Sequence, residues 1–240
     1  MAAVLEADLD LDVQDRVWEP TLKQARFVNS FARHLLCAGG VGSGKTDCLV
    51  YRAHLLCENF PGIRGLIGRR TFRNLHNTTI GDNYFRWFPQ MRRHLNLGTQ
   101  QIRYPNGSLL ILQHLDLSER ELGDALNINL GFFAIDQLEE VDEGVYRLLC
   151  TRLRQKIPGL PEQYAFSVCN PAGHNWIWKR WVSEQRPKHD LIEIQTHENK
   201  HLPDLYIEDL VENNSEAWVR RYVYGNWDTF EGQVYDCYDE

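Results

Sequence analysis

Gly39-Gly40-Val41-Gly42-Ser43-Gly44-Lys45-Thr46 decides the fold, because it fills the pattern G-x-x-x-x-G-K-[ST] completely. Glycines at this spacing let backbone N–H groups turn inward around phosphate oxygens. Lys45 would then neutralise charge on the β- and γ-phosphates, and the Thr46 hydroxyl would ligate Mg²⁺. The flanks are those such a loop needs. His34-Leu35-Leu36-Cys37-Ala38 reads as a short buried strand, and Lys45 to Asn59 as a helix stopped by Pro61-Gly62. The helix N-terminus thereby faces the anion. Gly39, Gly40, Gly42, Ser43, Gly44, Lys45 and Thr46 are the expected phosphate-binding residues.

Outward from the loop, Thr21 to Phe31 reads as a helix with Thr21 as N-cap. Gly65-Leu66-Ile67-Gly68 is a second strand, leading into Arg69-Arg70. Gln101–Tyr104 and Ser108–Gln113 flank Pro105-Asn106-Gly107 and form a hairpin with Asn-Gly at its turn. Leu130 to Ile135 is an apolar strand ending at Asp136, and Tyr164 to Cys169 another, ending at Asn170-Pro171. Strands apolar along their whole length and separated by helices indicate a parallel sheet covered on both faces. The expected class is α/β.

Asp136 stands in the Walker B arrangement: a carboxylate at the end of a central strand, beside the phosphate loop, able to hold the Mg²⁺ shell. Glu139, Glu140, Asp142 and Glu143 follow it. Acids suit a helix start, yet one of them is placed to orient an attacking water.

The 240 residues carry 33 acids and 26 bases, a net charge of −7, with 43% hydrophobic residues. That is an ordinary globule, long enough for one large α/β domain. No apolar run reaches the ~20 residues of a membrane span, and the acidic N-terminus is unlike a secretory signal; a cytosolic protein is expected. The six cysteines (Cys37, Cys48, Cys57, Cys150, Cys169, Cys237) show neither C-x-x-C nor zinc-ligand spacing. Acids concentrate in residues 1–20 and 201–240, leaving 21–200 with 17 acids and 23 bases. A polyanionic partner is therefore compatible with that core. The expected organisation is an acidic arm over 1–17, an ATPase core over 18–200 and a lid or linker segment over 201–240.

Several segments together resemble the large terminase subunits of tailed bacteriophages, the DNA-packaging motors. Glu19-Pro20-Thr21-Leu22-Lys23-Gln24-Ala25-Arg26-Phe27 looks like that family's adenine-recognition segment. Gly68-Arg69-Arg70-Thr71 resembles its arginine-bearing stretch, and Asn106-Gly107-Ser108 the hairpin before Walker B. Ser167 through Trp176, centred on Asn170-Pro171, resembles the coupling motif. Gly225-Asn226-Trp227-Asp228 through Tyr235 resembles the join to a nuclease domain. The resemblance implies a P-loop NTPase of the additional-strand, catalytic-glutamate type with a small C-terminal lid. It implies an Mg²⁺-dependent ATPase that drives double-stranded DNA, regardless of sequence, into a procapsid. The implied partners are a portal protein, a small terminase subunit and further copies in a pentameric ring, working in the host cytoplasm and away from membranes. Gln24 would select adenine, and Asn170 would sense the γ-phosphate and couple hydrolysis to movement. Arg69 and Arg70 could contact phosphate or a neighbouring subunit; Arg92, Arg93, Arg152, Arg154 and Lys156 are candidates for DNA. No DNA cleavage is expected, since the nuclease domain would begin near Glu240.

Two positions depart from the family. Where its members usually carry a catalytic glutamate directly after the Walker B Asp, this chain has Gln137, a poor proton acceptor. Glu139, or failing that Glu140, is expected to replace it. Where many have arginine in the phosphate loop, this chain has Val41. Arg120 is the one Lys or Arg between Arg103 and Arg147, and is expected as a finger supplied in trans, with Arg152 and Arg154 as fallbacks. A helicase-like or repair ATPase of the same fold remains an alternative. So does an assembly module that binds ATP and barely hydrolyses it.

Overall fold

The computed structural model describes residues 18–227. The arm over 1–17, Cys237 and most of the expected nuclease join lie outside the described residues. The chain runs through α1 (Leu22–Asn29), β1 (His34–Gly39), α2 (Lys45–Asn59) and β2 (Arg64–Arg69). A helical crossover follows: α3 (Phe72–Asn74), wide π-type turns over Leu75–Tyr84, α4 (Phe85–Trp87) and a 3-10 stretch Pro89–His94. Then come β3 (Leu95–Asn96), β4 (Gln101–Arg103), β5 (Leu109–His114) and α5 (Glu119–Ala125). The second half contains β6 (Phe132–Asp136), a 3-10 turn Leu138–Glu140, α6 (Glu143–Arg152) and β7 (Tyr164–Cys169). It ends with α7 (Trp176–Trp178) running into π-type turns Lys179–Ser183, β8 (His189–Ile194), a 3-10 turn Thr196–Glu198, α8 (Tyr206–Glu212) and α9 (Glu216–Tyr222).

The strands form one sheet in the order β3-β4-β5-β2-β6-β7-β1-β8. From β5 to β8 every pairing is parallel, and β3 and β4 add an antiparallel edge. The alternation of a strand explains the double cover. Leu35 and Cys37 of β1, with Phe132 and Ala134 of β6, face a core shared with α2. Leu36, Ala38, Phe133 and Ile135 face the opposite core, shared with α6.

An additional strand, β7, stands between the strand that feeds the phosphate loop and the strand that ends in Asp136. This is the architecture of a P-loop NTPase of the additional-strand type. The carboxyl ends of β2, β6, β7, β1 and β8 accordingly line up, and ligands of open α/β sheets bind along that edge.

Several strand ends move by one residue, and two larger boundary shifts have local causes. Helix α1 stops at Asn29, not Phe31, where Ser30 turns extended. The Arg52 guanidinium caps that end, donating to the carbonyls of Phe27, Val28 and Ser30 at 2.7–2.8 Å. Strand β6 proper starts at Phe132, because Leu130 bridges instead to Leu153.

Candidate active site

A cavity of about 600 Å³ opens at the carboxyl ends of the strands, lined among others by Gln24, Gly42–Asp47, Asp136, Gln137 and Asn170. Two glycines of the loop have separable causes. Gly44 takes φ +79°, the left-handed region where a side chain is strained. Gly40 is crowded: a Cβ there would lie 2.2 Å from Thr196 Oγ1 and 2.5 Å from the Val223 carbonyl. The second glycine of the motif thus answers to the C-terminal segment.

Lys45 is nearly buried. Its ammonium donates to the carbonyls of Gly39 (2.9 Å) and Gly40 and to Ser43 Oγ (3.2 Å), and burial lowers its pKa. Thr46 Oγ1 donates to Asp136 Oδ1 at 3.1 Å. Asp136 Oδ2 accepts from Thr79 Oγ1 at 2.7 Å and from Arg69 Nη1 at 3.3 Å. A hydroxyl and a carboxylate meeting at a phosphate loop suit Mg²⁺, which takes few protein oxygens and completes its shell with water and phosphate.

Beyond Asp136 the chain reverses through Gln137 at φ +56°, an unusual value for a side chain bearing a Cβ. Arg69 Nη2 donates to Gln137 Oε1. The reversal swings Glu139 back to β7. Its Oε1 accepts from the Asn170 amide N (3.0 Å) and from Asn170 Nδ2 (2.8 Å), while Oε2 is buried without a hydrogen-bond partner among the described residues. Burial raises the Glu139 pKa, opposed by the Asn170 hydrogen bonds and the Lys45 charge. Asn170 and Gln137 line the cavity, whereas Glu139 reaches it through its bonds to Asn170 and is not itself part of the lining.

Other sequence candidates are placed differently. Glu140 is exposed and faces a second, polar recess with Arg70, Asp116, Ser118 and Asp142, so the structure does not bring it to the phosphate loop. Gln24 lines the cavity, but its amide is engaged at both ends. Oε1 accepts from Thr21 N at 2.8 Å, and Nε2 donates to the Ser43 carbonyl at 3.1 Å. It fastens the loop to α1, and one N–H and one oxygen lone pair are left beyond these two bonds. Arg120 is exposed on α5, outside the cavity lining, and makes no ion pair among the described residues. The fallback Arg152 donates to the Gly123 carbonyl and Arg154 to Asn129 Oδ1.

Sequence reasoning missed the clasp over the loop. Val41 N donates to the Tyr222 carbonyl at 2.7 Å, and Thr196 Oγ1 donates to the Val41 carbonyl at 2.8 Å. Asn199 Nδ2 donates to the Gly42 carbonyl at 2.6 Å, and Arg221 Nε to the Pro171 carbonyl at 2.6 Å. Gly40 was the signal available for it. Also missed was the cavity mouth, where Asp47 Oδ1 accepts from Arg86 Nη2 and Trp87 Nε1, both at 2.8 Å.

No protein-family model and no curated protein matches this chain significantly. Solved structures do. The large terminase of the thermophilic bacteriophage D6E superposes with a TM-score of 0.73 at 16% identity, over 92% of this chain and 57% of that one. The chain has the fold of a large-terminase ATPase domain. It spans little more than half the length of the D6E protein, which has also been seen with ADP and with ATP-gamma-S. The large terminase ATPase domain of Thermus phage P74-26 matches at TM-score 0.62 and 14% identity, over 86% of this chain and 93% of that one. A chain of the bacteriophage phi-29 genome packaging motor assembly matches at TM-score 0.53 and 12% identity, over 88% and 69%.

Among the described residues no helix is long and apolar enough to cross a membrane.

Proposed function

We propose that this chain is the ATPase portion of a viral genome-packaging motor, hydrolysing ATP to drive double-stranded DNA into a procapsid. The observation that carries the reading is the meeting of Lys45, Thr46, Asp136 and the Glu139–Asn170 pair at the ends of adjacent strands. The fold shared with phage terminases supports the packaging context. Thr46 and Asp136 would hold Mg²⁺, which supplies charge neutralisation across the β- and γ-phosphates when bound. Lys45 neutralises the same oxygens, and the free first-turn amides of α2 add donors. Glu139 takes the proton of the attacking water, a task suited to a carboxylate whose pKa burial has raised. Asn170 carries the change at the γ-phosphate to Arg221, through the Pro171 carbonyl, and so to the lid and linker segment from 201 onward. Arg120 completes the site of a neighbouring copy in a pentameric ring. The motor works in the host cytoplasm with a portal protein and a small terminase subunit, and it contacts DNA through phosphates because packaging must tolerate any sequence.

The assembly-module reading keeps one observation in its favour: Gln137 stands where a glutamate base is usual, and Arg69 engages its amide oxygen. Steady-state ATP hydrolysis decides between the two, with Lys45→Ala as the blank. Turnover above the blank that Glu139→Gln abolishes supports the motor. Wild-type turnover equal to the blank, together with nucleotide-dependent growth in oligomer size, supports the module.

A further inference from the structure

Gln137 lines the cavity, and what it can do there depends on the direction its amide faces. Arg69 decides that direction. A guanidinium has five N–H donors and no acceptor, so the Gln137 atom facing Arg69 Nη2 is the carbonyl oxygen. The NH₂ end is left as the polar group that Gln137 offers the cavity, with no protein partner among the described residues. Arg69 cannot turn away easily: it is 6% exposed at the end of β2, with Nη1 on Asp136 Oδ2 and near Thr79 Oγ1. The backbone of Gln137 is held as well, at φ +56° and ψ +61°, between β6 and the turn that carries Glu139. An amide so fixed turns its oxygen to Arg69 and its NH₂ toward what enters the cavity.

We propose that Gln137 is a hydrogen-bond donor to the terminal phosphate, held in that role by Arg69, and that it distinguishes nucleoside triphosphate from diphosphate. This rests on the ATPase reading above and extends it. Phosphate oxygens only accept, so an NH₂ meets them without the repulsion a carboxylate would bring. A glutamate at 137 would place one oxygen on Arg69 and turn the other toward the γ-phosphate. The glutamine is therefore matched to its arginine, and the proton-accepting task falls to another carboxylate. Arg69 is a positioning residue: it acts on the nucleotide through Gln137 and on the metal ligand Asp136.

The test is calorimetric binding of ATP-gamma-S and of ADP to the 240-residue chain with Mg²⁺, comparing wild type, Gln137→Met and Gln137→Glu. Gln137→Met keeps the length and loses the amide. It is expected to weaken ATP-gamma-S binding roughly 10- to 100-fold, the range for one hydrogen bond to a charged group, and to leave ADP affinity unchanged. Gln137→Glu should weaken ATP-gamma-S at least as much. Arg69→Lys, which keeps a charge beside Asp136 and loses the planar fork, should narrow the preference for ATP-gamma-S over ADP. Equal losses for both nucleotides in Gln137→Met, or no loss for either, overturn the proposal. So does a Gln137→Glu chain that turns over faster than wild type, because the position would then be serving as the base. If wild type binds neither nucleotide, the ATPase reading itself fails, an outcome distinct from all of these.

Discussion

Asn170 donates twice to a single oxygen of Glu139, from its backbone N at 3.0 Å and from Nδ2 at 2.8 Å, and leaves the second carboxylate oxygen buried and unpaired among the described residues. The charged form of Glu139 is thus only half compensated, and burial raises its pKa. A carboxyl whose folded pKa lies above its unfolded one contributes stability at low pH that is lost as pH rises through the folded value. Glu139→Gln keeps an oxygen for Asn170 and removes the buried charge. It should raise the melting temperature at neutral pH while lowering turnover to the level of Lys45→Ala. Turnover of wild type should fall, as pH drops, at a value above that of an ordinary glutamate. A thermal melt and a pH–rate profile on the same two proteins check both halves; a variant that is destabilised and still active sinks the assignment.

Gln24 offers a second separation of roles. Its amide joins Thr21 N to the Ser43 carbonyl, so removing it loosens the loop from α1. Gln24→Ala should cost about 1–2 kcal/mol of stability, the worth of a helix-cap bond and a buried hydrogen bond together. If fastening is its task, affinity for ATP and GTP falls by the same factor. A loss confined to ATP would show that the side chain reads the base.

The loop, α2, Asp136 at the end of β6 and Asn170 at the end of β7 were legible from the sequence because each depends on local pattern. Glycine spacing, a run of apolar residues and the residue that ends it are all short-range facts. β8 was not legible. His189–Ile194 places His189, Asp190 and Glu193 among three apolar residues, neither alternating nor apolar throughout, and it pairs with β1, far away in the chain. The crossover from Phe72 to Trp87 hides its helix in wide π-type turns, which blur the 3.6-residue period. The roles of Arg69 and Gln24 were hidden for another reason. They act on groups 67 and 19 residues away, Asp136 and Ser43, and nothing local in the sequence marks which partner a buried polar side chain will meet. Glu140 shows the same limit from the other side: one residue from Glu139, it faces a different recess because a 3-10 turn separates their directions.

Gly40 makes the contact between loop and C-terminal segment testable by a single methyl group. With Thr196 Oγ1 at 2.2 Å and the Val223 carbonyl at 2.5 Å from an added Cβ, Gly40→Ala must push the segment outward. The expected cost is about 1–3 kcal/mol, as for other overpacked sites, seen as a lower melting temperature. Limited proteolysis should show faster cleavage between Thr196 and Gly225 in the variant. Thr196→Ser, which keeps the hydroxyl for the Val41 carbonyl, should leave both readouts near wild type.

Arg120 carries the prediction that needs the assembled motor. It is exposed on α5, away from its own cavity, and Val41 leaves that cavity without the loop arginine many terminases have. An arginine stabilising transition-state charge is worth about 10³- to 10⁵-fold in rate. Arg120→Ala should therefore lower kcat of the assembled ring by a factor in or near that range, with ATP-gamma-S affinity of the isolated chain unchanged. Mixing it with Glu139→Gln chains sharpens the test. In a mixed ring, an intact Arg120 from the Glu139→Gln copy can serve the intact Glu139 of an Arg120→Ala neighbour. Turnover should then reappear, although neither variant alone shows it. Rings that stay inactive at every mixing ratio, or an Arg120→Ala ring as fast as wild type, would remove Arg120 from the mechanism and leave Arg152 and Arg154 as the arginines to substitute next.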